Sequence, residues 1–185
     1  SRARDRVRRL TLVVFDPRPF KGILFDLDGT LVDSAPDLVG ACNRVLKVLD
    51  RPPITLENGR RWIGHGARQL LERAITGKVD GKAPADVLDE AYQHFLQFYG
   101  ESICLESKLY PAIIQTLSSL QESGHRLACV TNKPAAFTRP LLDAFDLSGY
   151  FDPIVSGDDL ARKKPDPMPL QYVLDQWHLS ANDCL

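Results

Sequence analysis

The sequence lacks a close pair of cysteines, an excess of charge and a long apolar run. The four cysteines of the 185-residue chain lie far apart, which argues against a zinc site and against the disulfide framework of a small secreted protein. We therefore expect the protein to lie in the cytoplasm, where thiols are kept reduced. The 23 basic and 24 acidic residues give a net charge of -1, so no overall field draws the molecule toward nucleic acid or a membrane. A small, locally charged ligand is the partner that fits this composition. The composition does not indicate an oligomeric state.

The first twenty residues differ in composition from the rest. Five arginines precede a short apolar run from Leu10 to Phe15. That run is too short for the core of a signal peptide with a cleavage site, and much too short to span a bilayer. We interpret residues 1–20 as an extension outside the folded core, and an arginine-rich organelle presequence stays open as the alternative.

The remaining chain changes its apolar period twice. Residues 22–27 are a short apolar run ending in acidic residues, which predicts a buried strand that breaks into a loop. Between positions 36 and 99, apolar residues recur at helical spacing in three segments with no strand between them. Helices and strands then alternate, near residues 112–122, 126–131, 135–145, 154–156 and 168–177.

This order predicts the α/β class, with a Rossmann-like parallel sheet, helices on both faces and one helical insertion. We expect residues 21–34 and 108–185 to form the core. Residues 35–107 would form the inserted helical cap.

Two carboxylates separated by one residue follow the first predicted strand. In the stretch FDLDGTLVDS, Asp26 and Asp28 can both reach one small site if the chain leaves strand geometry and Gly29 permits a tight turn. One carboxylate could attack a substrate while the other moves protons. The alternative is a turn in which Asp28 and Gly29 merely end a strand.

FDLDGTLVDS resembles the first motif of the haloacid dehalogenase-like phosphatases. The resemblance implies that Asp26 attacks phosphorus and becomes an aspartyl phosphate, which splits one hard displacement into two easier ones. It implies that Asp28 protonates the leaving oxygen and then activates water. The dehalogenases of the same superfamily lack an aspartate at the position matching Asp28, so the resemblance favours phosphoryl transfer over carbon–halogen cleavage.

Two later stretches resemble further motifs of this family. VTNK matches the second motif, in which the hydroxyl corresponding to Thr131 binds a phosphoryl oxygen, and Asn132 beside it is a further candidate substrate-binding residue. A simple turn at a strand end is the alternative. KKPDP matches the third motif, in which Lys164 would offset charge on the nucleophile and the phosphoryl group. We interpret Lys163 as a solvated neighbour.

Resemblance to the phosphoglycolate phosphatase branch rests on further stretches in the core and in the insertion. In the core, DPIVSGDD before KKPDP is similar to that branch. RWIGHGA matches a glycine-rich cap loop that faces the active site in that branch. Arg61 and Arg68 are candidate contacts for a substrate carboxylate, although solvated arginines on helix faces are the more ordinary alternative. His65 is interpreted as a surface residue.

The implied function is hydrolysis of a small phosphorylated metabolite, with 2-phosphoglycolate the best candidate. A related sugar-phosphate phosphatase or phosphomutase is one alternative. An inactive remnant that binds phosphate or a protein partner is the other.

The resemblance also implies a magnesium ion. In the family, its ligands are the carboxylate matching Asp26, the main-chain oxygen matching Asp28 and an acid of a fourth motif, which we do not find before Leu185. Asp183 lacks the context of that motif and is not assigned as a ligand. We therefore expect an incomplete metal site, an open apolar edge along residues 23–25, and little or no activity of the chain as given.

Overall fold

The computed structural model describes residue 17 and residues 19–185. The interpretation of residues 1–20 as an extension therefore concerns residues that lie almost entirely outside the described part, and it stays a prediction. Within the described residues, no helix is long and apolar enough to cross a membrane.

The described residues form five strands and seven α-helices. The strands are β1 (Gly22–Phe25), β2 (Val32–Asp33), β3 (Lys108–Leu109), β4 (Arg126–Val130) and β5 (Ile154–Val155). The helices are α1 (Ala35–Val48), α2 (Leu56–Trp62), α3 (Ala67–Thr76), α4 (Ala85–Gly100), α5 (Ile113–Glu122), α6 (Ala135–Ala144) and α7 (Met168–Trp177).

A parallel sheet in the order β1-β4-β5 forms the centre of the core. Side chains alternate across a strand, and in β4 this alternation separates two apolar clusters. Leu127 and Cys129 pack with residues of α5 and α6, whereas Ala128 and Val130 pack with residues of α7. The predicted α/β class with helices on both faces of a parallel sheet is confirmed.

The helical insertion has an apolar cluster of its own, contributed by α1, α2, α3 and α4 with residues such as Cys42 and Phe95. Sequence periodicity indicated three of these helices and missed α2. The sequence of α2, LENGRRW, buries only one large apolar side chain, Trp62, so it shows no helical period. The helix is instead fixed at its start by Thr55, whose hydroxyl accepts the N–H of Asn58 at 3.2 Å.

A short antiparallel ribbon joins the insertion to the core. β2 and β3 pair with Val32 opposite Leu109, so the chain enters and leaves the insertion side by side. Asp37, in the first turn of α1, is 5% exposed. Its carboxylate accepts the N–H groups of Glu106 and Ser107, each at 2.9 Å, and the hydroxyl of Ser107. One buried carboxylate thus holds the two connections together.

The prediction of an open edge along β1 is wrong for most of that strand. The N–H of Leu24 donates to the main-chain oxygen of Leu185 at 2.8 Å, and the N–H of Leu185 donates to Gly22 at 3.0 Å. Cys184 and Leu185 run parallel to β1 and hydrogen-bond to this edge. Asp183 forms an ion pair with Lys21 at 2.8 Å, a structural role that agrees with leaving it out of the metal site.

Candidate active site

The carboxyl ends of β1 and β4 lie side by side, because the two strands are parallel neighbours. Asp26 directly follows β1, and Thr131 directly follows β4. Lys164 reaches the same edge from the loop after β5. Its ammonium lies 3.0 Å from a carboxylate oxygen of Asp26 and donates to the main-chain oxygen of Val130 at 2.6 Å. A carboxylate and a cation therefore meet at the carboxyl end of the sheet.

A tight turn carries Asp28 to the same place as Asp26. The main-chain oxygen of Leu27, whose side chain is fully buried, accepts the N–H groups of residues 30–32 at 3.0–3.2 Å. Gly29 has a φ of 83°, the left-handed region that glycine adopts without steric cost. Because the chain leaves strand geometry here, both carboxylates line one cavity.

The carboxylate of Asp28 has two side-chain partners. It accepts the hydroxyl of Ser34 and the ammonium of Lys133, which lies 3.1 and 3.4 Å from its two oxygens. The same ammonium donates to the hydroxyl of Tyr99, on α4 of the insertion, at 2.6 Å. A buried lysine therefore connects the acid/base candidate of the core to a helix of the cap.

Sequence reasoning gave no role to Lys133, although its ammonium contacts Asp28. Burial by itself lowers the pKa of this lysine, but Asp28 and Tyr99 outweigh that effect, so its pKa is raised and the ammonium keeps its proton. Burial raises the pKa of Tyr99 to about 12, which keeps the phenol neutral. The only sign of this residue in the sequence is the lysine of VTNK. The sequence alone does not distinguish a buried lysine at this position from an exposed lysine in a turn.

Asn132 connects three segments of the site. Its amide nitrogen donates to the main-chain oxygens of Gly64, in the glycine-rich cap loop, at 3.1 Å and of Lys164 at 3.0 Å. Because both partners can only accept, the orientation of this amide is fixed. Thr131 is buried beside it, and its hydroxyl oxygen accepts the N–H of Lys133 at 3.2 Å.

The cavity between core and cap is small, at about 30 Å³. By volume this is room for about two water molecules. Polar groups of the core form its floor, and mostly apolar groups of the cap form its roof. The lining residues are Asp26, Asp28, Leu38, Ile63, Gly64, Gly66, Ala67, Leu70, Phe95, Tyr99, Thr131, Asn132, Lys133, Pro134 and Phe137.

The fold and these motifs have matches among known proteins. Residues 23–185 match the family model of the haloacid dehalogenase-like hydrolases. The chain belongs to this family. It is 43% identical over 169 residues to phosphoglycolate phosphatase of Nitrosospira multiformis, covering 91% of this chain and 74% of that protein. It is 42% identical over 165 residues to phosphoglycolate phosphatase of Colwellia psychrerythraea, and this match covers 88% of this chain and 73% of that protein.

A solved structure shows the same architecture. It is the crystal structure of a predicted phosphoglycolate phosphatase from Haemophilus somnus, with a TM-score of 0.80 and 34% sequence identity. The likeness covers 90% of this chain and 75% of that one. The resemblance read from the motifs is therefore confirmed at the level of the hydrolase family.

The described residues of this hydrolase contain no group of three or more His, Cys, Asp or Glu that could hold a metal ion. Asp26 and Asp28 are the two acids at the cavity. Magnesium in phosphoryl-transfer sites is usually held by one or two carboxylates, with waters and substrate phosphate completing the octahedron. The two aspartates therefore fit a magnesium ion as a partial set of ligands.

Arg61 and Arg68 lie away from the cavity of this hydrolase. Arg61 pairs with Glu57 one helical turn earlier at 2.5 Å, and its side chain is 69% exposed. Arg68 pairs with Asp89 and stacks over the ring of Tyr92. Neither arginine lines the cavity, so the structure favours the alternative of arginines on solvated helix faces. His65 is exposed on its loop, as expected.

Proposed function

We propose that this hydrolase cleaves the phosphate ester of a small metabolite, with 2-phosphoglycolate as the best candidate substrate. The observation that carries the proposal is the pair of carboxylates with different partners at one sheet edge. Asp26 faces Lys164, whereas Asp28 faces Lys133 and Ser34. The relatives named phosphoglycolate phosphatase support the choice of substrate.

Asp26 is the proposed nucleophile. Its carboxylate oxygen attacks phosphorus, the bond from phosphorus to the ester oxygen breaks, and Asp28 gives its proton to that leaving oxygen. Asp28 then takes a proton from water, and the water oxygen attacks the phosphorus of the aspartyl phosphate. Inorganic phosphate leaves and Asp26 is restored, so two displacements replace one.

Lys164 and Thr131 would bind the phosphoryl group. The ammonium of Lys164 lies 3.0 Å from Asp26, where it reduces the repulsion between an anionic nucleophile and an anionic phosphate. Thr131 would donate its hydroxyl to a phosphoryl oxygen, with Asn132 beside it to hold the cap loop and the Lys164 loop in place. The carboxylate of Asp26 and the main-chain oxygen of Asp28 would hold magnesium, which supplies further positive charge when bound.

We infer that the cap moves when substrate enters. A cavity of about 30 Å³ holds about two waters, which is less than a phosphorylated two-carbon acid needs. The hydrogen bonds from Asn132 to Gly64 and from Lys133 to Tyr99 bridge core and cap, and they would break on opening. Their return on closure would exclude water from the reacting groups.

We also infer a reducing cytoplasm as the site of this reaction. All four cysteines are free thiols, as expected where thiols are kept reduced. The partner is a small phosphorylated metabolite, and the near-neutral net charge gives no reason to invoke nucleic acid or a membrane.

Phosphate release from 2-phosphoglycolate and p-nitrophenyl phosphate, measured with magnesium, tests the mechanism. It also tests the expectation of little or no activity, which loses one of its two grounds because Leu24 and Leu185 pair at the β1 edge. Asp26→Asn should abolish turnover, because an amide is a far poorer nucleophile toward phosphorus. Asp28→Asn should slow turnover by about 10²–10⁴, the usual size of a general acid/base contribution. Asp86→Asn is the control, since Asp86 is exposed in the first turn of α4.

Turnover by Asp26→Asn equal to that of the control would contradict the assignment of the nucleophile. Turnover of sugar phosphates in preference to 2-phosphoglycolate would favour the related sugar-phosphate phosphatase. A wild-type chain that binds phosphate and turns over none of these esters would favour the inactive phosphate-binding alternative.

A further inference from the structure

The cap side of the cavity is apolar. Its lining residues from the insertion carry no charged side chain: they are Leu38, Ile63, Gly64, Gly66, Ala67, Leu70, Phe95 and Tyr99. A leaving group with a carboxylate would have to bury a negative charge against this surface. Burying an unpaired charge costs several kcal/mol, so a substrate of this kind needs a cation close to its leaving group.

Few cations are placed to meet that need. Arg61 and Arg68 are paired on the surface of the cap. Lys164 contacts Asp26 and so belongs to the phosphoryl end of the site. Among the described residues that line the cavity, Lys133 is the one cation, and its side chain is only 2% exposed.

Lys133 contacts Asp28, the residue that the leaving oxygen must approach to receive its proton. Its ammonium is 3.1 Å from Asp28, the proposed donor of the proton to the leaving oxygen. A carboxylate carbon in 2-phosphoglycolate is two bonds from that oxygen. A lysine ammonium has three N–H donors, and those of Lys133 meet the two oxygens of Asp28, at 3.1 and 3.4 Å, and the hydroxyl of Tyr99. The 3.4 Å contact is the longest of the three, and it is the one that a substrate carboxylate would replace.

We propose that Lys133 is the counter-ion for a carboxylate on the leaving group, and therefore the residue that makes this hydrolase select phosphorylated acids. The inference rests on the proposed function, because it concerns the same cavity and the same reaction. Tyr99 orients the ammonium, since its hydroxyl oxygen accepts a hydrogen bond from it at 2.6 Å. Closure of the cap thus brings the apolar roof and the oriented cation together around the leaving group.

A second role for Lys133 has to be distinguished from this one. Through its contact with Asp28 it could act only as a positioning residue for the acid/base. Loss of that function would slow hydrolysis of every ester alike. Loss of a counter-ion would slow only the esters whose leaving group carries a carboxylate.

The experiment compares 2-phosphoglycolate with ethyl phosphate, which has the same phosphate and an uncharged leaving group. The measured quantity is the ratio of kcat/KM for the two esters, which does not depend on the fraction of active protein in a preparation. A charge-assisted hydrogen bond should give the wild type a ratio of about 10–100. Lys133→Met and Lys133→Gln should bring the ratio to within about threefold of 1.

Lys163→Met is the matched control. Lys163 is exposed, and its ammonium lies beside Gly66 of the cap loop, 2.9 Å from where a Cβ would be. This variant should keep the wild-type ratio. If Lys163→Met lost the preference, the carboxylate would belong to Lys163 and the inference would be overturned, whether or not the Lys133 variants fold.

The outcomes separate the two proposals. A wild type with no preference for 2-phosphoglycolate over ethyl phosphate would contradict the proposed substrate. A wild-type preference that the Lys133 variants retain would overturn the role of Lys133 and leave the proposed function intact. Equal losses on both esters would make Lys133 a positioning residue for Asp28 and would also overturn the inference.

Discussion

Removing the carboxylate of Asp37 should destabilise the fold more than any exposed aspartate can. Asp37 is buried where the two connections of the cap meet, and it accepts hydrogen bonds from Glu106 and Ser107. In Asp37→Ala these donors lose their acceptor. Water can reach the N–H of Glu106, which is exposed, but not the buried groups of Ser107.

The magnitude follows from the groups that are left unpaired. A buried donor without a partner costs about 1–3 kcal/mol, and Ser107 leaves two such donors, its N–H and its hydroxyl. With the loss of the hydrogen bond to Glu106, we expect Asp37→Ala to lower the free energy of unfolding by about 3–5 kcal/mol. In a chain of this size that corresponds to a fall in Tm of roughly 6–20 °C.

Urea unfolding and thermal melts followed by circular dichroism measure the loss. Asp86→Ala is the matched control, because Asp86 also lies in the first turn of a helix but is exposed. Both variants lose the interaction of a carboxylate with a helix N-terminus, about 0.3–1 kcal/mol, so the difference between them isolates the buried hydrogen bonds. If the two variants lie within about 1 kcal/mol of each other, Asp37 does not hold the two connections together.

Three further predictions concern single positions. Arg61→Ala and Arg68→Ala should each change KM for 2-phosphoglycolate by less than about twofold, since both arginines are paired at the exposed cap surface, where ion pairs contribute little. A tenfold rise in KM would instead indicate that the arginine contacts the substrate carboxylate. Ala112→Gly should stabilise the fold by about 1 kcal/mol in urea unfolding, because Ala112 has a φ of 64°, a conformation unfavourable for residues with a Cβ. Lys21 holds the pKa of Asp183 at about 2, below its ordinary value of 3.8, so the stabilisation from this pair is present above pH 3.8 and is lost as pH falls through 2. Lys21→Ala should return the pKa of Asp183 toward 3.8 in an NMR titration, and an unchanged value would contradict that cause.

Much of the core could be predicted from the sequence, because its signals are local. The apolar run before FDLDGT identified β1, and the carboxylates of Asp26 and Asp28 follow from the chemistry of that short stretch. Helical periodicity identified three of the cap helices. It missed α2, which buries one large side chain, and it missed β2 and β3, which at two residues each are too short to show an alternation.

The sequence by itself determined the hydrolase family, the parallel sheet with a helical insertion, and the two aspartates at the end of β1, since each depends on residues close together in the chain. The tertiary structure alone decided what lies opposite those aspartates. It left Arg61 and Arg68 on the surface, paired the end of the chain with β1, and placed Lys133 between Asp28 and Tyr99. Lys133 and Asp28 are 105 positions apart in the sequence, and a local sequence pattern does not predict a contact between residues so far apart. Contacts of this kind arise from the packing of the cap on the core, which only the folded chain contains.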